Sequence, residues 1–170
     1  TAGGPTTSGL LLFGGRRADG AWTTLYETHG GGEGARGNRD GAPVIRVHMS
    51  NVMNTPAEVI EAEYPIQVVC QRLRRGSGGT GRHRGGEGLH REYRILNDDM
   101  SVTTMFERRV IPPYGLEGGA PGEPFRVEVK ETSGKSYDMP GKANIRLDCG
   151  GLVIVNSCGG GGYGPPESVR

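Results

Sequence analysis

No stretch of this 170-residue sequence approaches the ~18 apolar residues of a membrane-spanning helix, and the opening "TAGGPTTSGLLLFGGRR" has no basic start before its short apolar run, so it does not read as a secretory leader. Neither sign of charge dominates. Twenty basic and 19 acidic residues leave a formal net charge of +1, so no global field draws the chain to nucleic acid or to a lipid surface. Cysteine is scarce: Cys70, Cys149 and Cys158 are odd in number and none stands in a CxxC pair, which argues against a disulfide framework and against a structural zinc module. Only 34% of residues are hydrophobic and 6% aromatic, so the core must be economical, and the length suits one domain, taken as 1–170. Together these shortages predict a cytoplasmic protein with no nucleic acid and no membrane among its partners.

What the sequence has instead is glycine, at 32 positions, with 11 prolines. The glycines cluster between apolar runs, at Gly30–Gly34, Gly76–Gly88, Gly118–Gly122 and Gly159–Gly164, a pattern of long ordered loops in a β-rich domain. The final cluster, "CGGGGYGPP", follows an apolar run directly. Three uses compete for it: backbone N–H groups cradling an anion, close packing in a β fold, or a flexible tail. The chain opens on Thr1 in a glycine-rich stretch, which reads as a piece of something longer; an N-terminal threonine nucleophile is the sharper alternative.

Strand patterns cover Ser8–Phe13, Trp22–Thr28, Pro43–Met49, Ile66–Leu73, Leu89–Leu96 and Ser101–Arg108. "FRVEVK" alternates, with Phe125, Val127 and Val129 on one side and Arg126, Glu128 and Lys130 on the other. "ANIRLDCGGLVIVN" reads as two strands of a tight hairpin about Gly150-Gly151. One helix is expected: in "NTPAEVIEAEYP", Thr55 is placed as N-cap, Pro56 as first helical residue and Glu58 as return partner of a capping box, and Pro65 stops the helix by pushing Tyr64 out of the α region. The expected fold is mostly β (α+β), with antiparallel sheets, long Gly-rich loops and one short capped helix.

Three stretches could carry chemistry. "RVHMSNVMNTP" places His48, Ser50, Asn51, Asn54 and Thr55 where a strand meets the helix start. Free N–H groups there could hold a carboxylate, phosphate or oxyanion; alternatively the asparagines shape a turn and the histidine is structural. "GSGGTGRHRGGEGLHRE" gathers Arg82, His83, Arg84, His90 and Arg91 among glycines. It lacks the order and the lysine of a phosphate-binding loop, and holds one RGG, so a structured loop against a partner subunit is favoured over RNA binding. "FERRVIPPYGLEGG" carries Arg108 and Arg109, suited to anchoring an anionic substrate, or to ion pairing with Glu107. Cys158, beside the glycine run, reads as a small packed residue.

Six ordered stretches resemble one family: "YETHGGGEGA", "HMSNVMNTPAEVIEAEYP", "SGGTGRHRGGEGLHREYRIL", "ERRVIPPYGLEGGAPGEP", "MPGKANIRL" and the final "GGGGYGPP". They are similar to the C-terminal part of the hydantoinase B family, which includes subunits or domains of ATP-dependent N-methylhydantoinases, 5-oxoprolinases and acetone or acetophenone carboxylases. The resemblance spans nearly the whole chain but about the last third of a family member. It implies part of a hydrolase or carboxylase, contributing scaffold and active-site wall, with His48, Asn51 and Asn54 catalytic and Thr55, Arg108 and Arg109 binding substrate. It implies two partners, the remainder of a hydantoinase B subunit and a hydantoinase A type nucleotide-binding subunit. No cofactor is expected on this portion; the divalent metal, whose His/Asp motifs lie N-terminal in the family, and ATP are expected elsewhere in the complex. One departure is Arg46, where family members often carry a second histidine. A module that only docks the catalytic halves is the alternative.

Overall fold

The computed structural model describes residues 1–6, 9–47 and 52–166. Nine strands and one helix appear among them, in the order β1 (Gly9–Arg16), β2 (Trp22–His29), α1 (Ala57–Glu63), β3 (Ile66–Arg74), β4 (Gly88–Ile95), β5 (Met100–Met105), β6 (Arg126–Lys130), β7 (Ser136–Asp138), β8 (Lys142–Leu147) and β9 (Leu152–Asn156). They form two antiparallel sheets, ordered β2-β1-β5-β8 and β3-β4-β9-β6-β7. Leu11, Phe13, Leu25 and Val102 of the first sheet and Tyr93, Val127, Val129, Val153 and Val155 of the second share one core. Phe13 meets Tyr93 across it with ring centroids 5.2 Å apart. The mostly β expectation therefore holds, as does the alternation of "FRVEVK": Phe125, Val127 and Val129 are buried. No helix of the described residues is long and apolar enough to cross a membrane.

Three local expectations are corrected. Residues 142–156 do not make a hairpin, because β8 pairs with β5 and β9 lies between β4 and β6 in the other sheet. The turn at Gly150 (φ 89°) carries the chain across the sandwich. The two arms differ in kind: β8 alternates exposed and half-buried, as an edge strand can, while Val153, Ile154 and Val155 are all buried, as an internal strand requires. Residues 43–47 hold no strand beyond a single bridge from Ile45 to Gly31, and Val44 has φ 47°, which breaks a pleated run. His48 and Met49, the end of that expected strand, lie outside the described residues. Thr55 does not cap α1: Pro56 is the N-cap, with no side-chain cap bond. The backbone of Thr55 is claimed by the core instead, its N–H donating to Glu27 at 3.4 Å and its carbonyl accepting from Arg91 at 3.2 Å. The C-terminal stop holds, with Tyr64 extended at φ −129°.

The glycine clusters build a second packed region without β-ladders. The N–H groups of Gly159, Gly160, Gly161 and Gly162 donate in turn to the carbonyls of Glu123, Gly86, Gly3 and Ala120. The first and fourth reach the same segment, which is the threefold period of a polyproline II type backbone. Carbonyls of the same run accept from Gly79, Ala35 and Leu116. A Cβ on Gly160 would sit 1.9 Å from the carbonyl oxygen of Glu33, and one on Gly161 1.9 Å from that of Tyr114. None of the four has positive φ. What the run requires is absence of a side chain, and what approaches it is backbone.

Candidate functional site

The inward face of β2 continues its alternation from Leu25 through Glu27 to His29, and that of β4 runs Leu89, Arg91, Tyr93, Ile95; all of these are buried. Period-two geometry thus aims two ionisable residues from each sheet into one core. His29 Nε2 and Tyr93 Oη lie 2.9 Å apart. The Arg91 guanidinium covers the Tyr93 ring, 5.0 Å from its centroid, and pairs with Glu27 Oε1 at 3.6 Å. Burial, then the nearby Arg91 and Arg46 charges, lower the His29 pKa to about 3, so the imidazole is neutral. Burial raises the Tyr93 hydroxyl well above its ordinary value, so it keeps its proton. Four buried atoms of this cluster have no hydrogen-bond partner among the described residues: Glu27 Oε2, His29 Nδ1, and Nε and Nη1 of Arg91. Such atoms normally find a partner, so this buried cluster is under-satisfied by the described residues themselves.

Arg46 connects this cluster to the surface. Its guanidinium donates to the Thr28 carbonyl at 2.7 Å, to the Thr28 hydroxyl and to the Asn54 side-chain oxygen. Arg46 and Asn54 line a groove of about 490 Å³ with Gly30, Ile45, Val52 and Met53. With its oxygen engaged by Arg46, Asn54 retains its amide N–H₂ as a donor. Thr55 enters through its backbone, as described. His48 and Asn51 lie outside the described residues.

Arg108 and Arg109 line a different hollow, of about 550 Å³, with Thr6, Phe106, Val110 and Ile111. Arg109 Nε donates to the Met139 carbonyl at 2.9 Å, and Arg108 lies over the Tyr114 ring at 5.8 Å. Neither pairs with Glu107 among the described residues; that carboxylate accepts from Thr6. The loop from Gly76 to Gly88 is ordered by this chain's own glycine run: the N–H of His83 donates to Tyr163, and those of Gly79, Gly85 and Gly86 to Gly160, Gly79 and Glu33. The N–H groups of Gly159–Gly162 are all consumed, which removes the anion-cradle reading for that run. Cys158 is fully buried, and burial pushes its thiol up to about 11, as befits an inert packed residue.

A model of the Hydantoinase B/oxoprolinase family matches residues 1–166. The chain belongs to that family. It is 42% identical over 159 residues to an uncharacterised protein of Methanocaldococcus jannaschii, covering 92% of this chain and 26% of that one. It is 36% identical over 144 residues to the 5-oxoprolinase of Dictyostelium discoideum, covering 85% of this chain and 11% of the relative. The chain therefore spans about a quarter or less of these relatives. Two solved structures share the fold: an acetone carboxylase in its nucleotide-free form (TM-score 0.83, 20% identity, 97% of this chain and 26% of that one) and an ATP-dependent caprolactamase from Pseudomonas jessenii (TM-score 0.83, 24% identity, 97% and 30%).

Within this Hydantoinase B/oxoprolinase chain, sequence reasoning missed the buried quartet. Its signal was available: in "WTTLYETH" and "LHREYRI" ionisable residues occupy the same alternate positions as Leu25, Leu89 and Ile95. A charge on the apolar phase of a strand is either an error of phase or a buried polar group.

Proposed function

We propose that this chain is the C-terminal portion of a hydantoinase B type subunit and contributes scaffold and part of the active-site wall to an ATP-dependent cyclic-amide hydrolase or related ketone carboxylase in the cytoplasm. The observation that carries this reading is the groove faced by Arg46 and Asn54 and backed by the buried Glu27, His29, Arg91 and Tyr93. A guanidinium and an amide N–H₂ side by side suit the carbonyl oxygen of a cyclic amide or a carboxylate, with Arg46 balancing developing negative charge and Asn54 fixing orientation. The Glu27–Arg91 pair holds the backbone of Thr55, and hence the approach to α1, against the core. Relatives named 5-oxoprolinase support the hydrolase class. The groove's described residues do not assemble a set of three metal ligands. The catalytic metal and ATP are expected on the rest of the subunit and on a hydantoinase A type partner, and no step on this chain is routed through them.

In the assembled complex, Asn54→Ala and His48→Ala test the reading. Turnover lost with assembly intact supports it; full activity in both variants removes it. A docking module is the second reading, favoured by the exposed Val110 (85%) and Ile111 (71%) beside the arginine hollow, and full activity in both variants would leave that one standing.

A further inference from the structure

We propose that Cys70, His90 and Glu92 form a transition-metal site, suited to zinc, on the outer face of the second sheet, where it clasps edge strand β3 to β4. It is independent of the groove and of the functional reading above. One ligand atom from each residue, sulfur, imidazole nitrogen and carboxylate oxygen, lies within 4.8 Å of the other two. Zinc holds such ligands at ~2.0–2.3 Å, so a single ion between them needs only small side-chain movements. A thiolate, an imidazole and a carboxylate together favour zinc over magnesium or calcium. All three residues are partly buried, so the site is neither sealed nor fully solvated.

Two features of the fold point to a built site. The first is the β-bulge in β3. Val68 pairs with Tyr93, but Cys70 pairs with Glu92, so Val69 is the extra residue. With an unbroken register Cys70 would oppose Arg91 and face the core. The bulge turns it to the outer face, opposite Glu92 and two residues along the ladder from His90, on the same face. The second is the orientation of His90. Its Nδ1 meets Asn156 Oδ1 on β9 at 2.7 Å, and its Nε2 meets Glu92 Oε1 at 2.8 Å. A histidine whose Nδ1–H is held by an oxygen acceptor presents Nε2 as the ligand, the usual outer-shell arrangement at zinc. Binding displaces the Nε2–Oε1 contact, and the thiol proton and any proton on Nε2 leave to solvent. The fourth position falls to water. None of the three residues stands at a zinc-motif spacing; β3, the bulge and β4 bring them together.

The test uses the purified protein that contains this chain, stripped with chelator and titrated with Zn(II) or Co(II). Cobalt should give a thiolate charge-transfer band that Cys70→Ser abolishes and Cys149→Ser leaves intact; a metal elsewhere on oxygen and nitrogen ligands gives no such band. Zinc should protect Cys70 from alkylation by iodoacetamide, and Asn156→Ala should weaken that protection roughly 10- to 100-fold in zinc concentration. The alkylation measurement needs no variant at the ligands, so it decides the matter even where Cys70→Ser misfolds. A Cys70 that reacts equally fast with and without zinc, or a cobalt band that survives Cys70→Ser, overturns the proposal.

Discussion

Tyr93 and His29 meet across the sandwich, hydroxyl to Nε2 at 2.9 Å, from strands that belong to different sheets. This polar contact, beside the buried Glu27–Arg91 pair, joins the two sheets inside the core. Replacing Tyr93 by Phe preserves the ring packing on Phe13 and removes the hydroxyl, leaving both His29 nitrogens without a partner among the described residues. The expected loss is about 1–3 kcal/mol of stability, read as a lower denaturation midpoint with unchanged m-value. No loss would show that water or another group satisfies His29.

The same histidine predicts a pH dependence. Its folded pKa, about 3, lies below the ordinary 6.5, so between those values the unfolded chain binds the additional proton. Its contribution is full above pH ~6.5, falls as pH drops, and is lost by pH ~3, several kcal/mol in all. His29→Gln should flatten the decline of stability between pH 6.5 and 4. An unchanged slope would assign acid lability to other groups, such as Glu33, whose pKa is lowered by the Ala42 N–H, Arg39 and Arg36 against the opposing effect of burial.

Gly160 and Gly20 separate two uses of glycine. A Cβ on Gly160 meets the Glu33 carbonyl at 1.9 Å, whereas one on Gly20 (φ 84°) meets nothing within 4 Å. Gly160→Ala should therefore prevent folding or cost at least ~3 kcal/mol, since backbone on several sides would have to move. Gly20→Ala should cost about 1–2 kcal/mol, the left-handed penalty alone. Thermal melts of the two variants compare them directly, and equal shifts would contradict the packing account.

The exposed pair Val110 and Ile111 tests assembly rather than folding. Ile111→Lys should leave the melting temperature within a degree or two of wild type but weaken association with the remainder of the protein, detected by size-exclusion chromatography. The wild-type chain produced alone should bind a hydrophobic dye more strongly than this variant does.

Much of the architecture could be read from residue order. Alternation located β1, β2, β3, β4, β5 and β6 to within a few residues, and Pro65 placed the end of α1, because these depend on side-chain phase and on one ring's sterics. The role of the glycine run was confined to three options by composition. Tertiary structure chose close packing, since only neighbouring carbonyls decide whether a bare backbone is cradle, tail or contact. The partition of β8 and β9 into different sheets was equally hidden, because a glycine turn fixes a change of direction but not which strand lies beyond it. Of the residues nominated for chemistry, Asn54 and Thr55 lie at the buried cluster, Arg108 and Arg109 in another hollow, and His48 and Asn51 outside the described residues.

By itself the sequence determined which residues alternate, where the chain turns and which family it resembles, all properties of neighbours along the chain. Tertiary structure alone decided that Glu27, His29, Arg91 and Tyr93 share one buried cluster, and that a one-residue bulge sets Cys70 beside His90 and Glu92. The physical reason is the same in both cases. In both, contacts form between residues far apart along the chain: sheet packing sets Glu27 and His29 against Arg91 and Tyr93, and strand pairing sets Cys70 beside His90 and Glu92, where a shift of one residue in register exchanges the core face for the outer one.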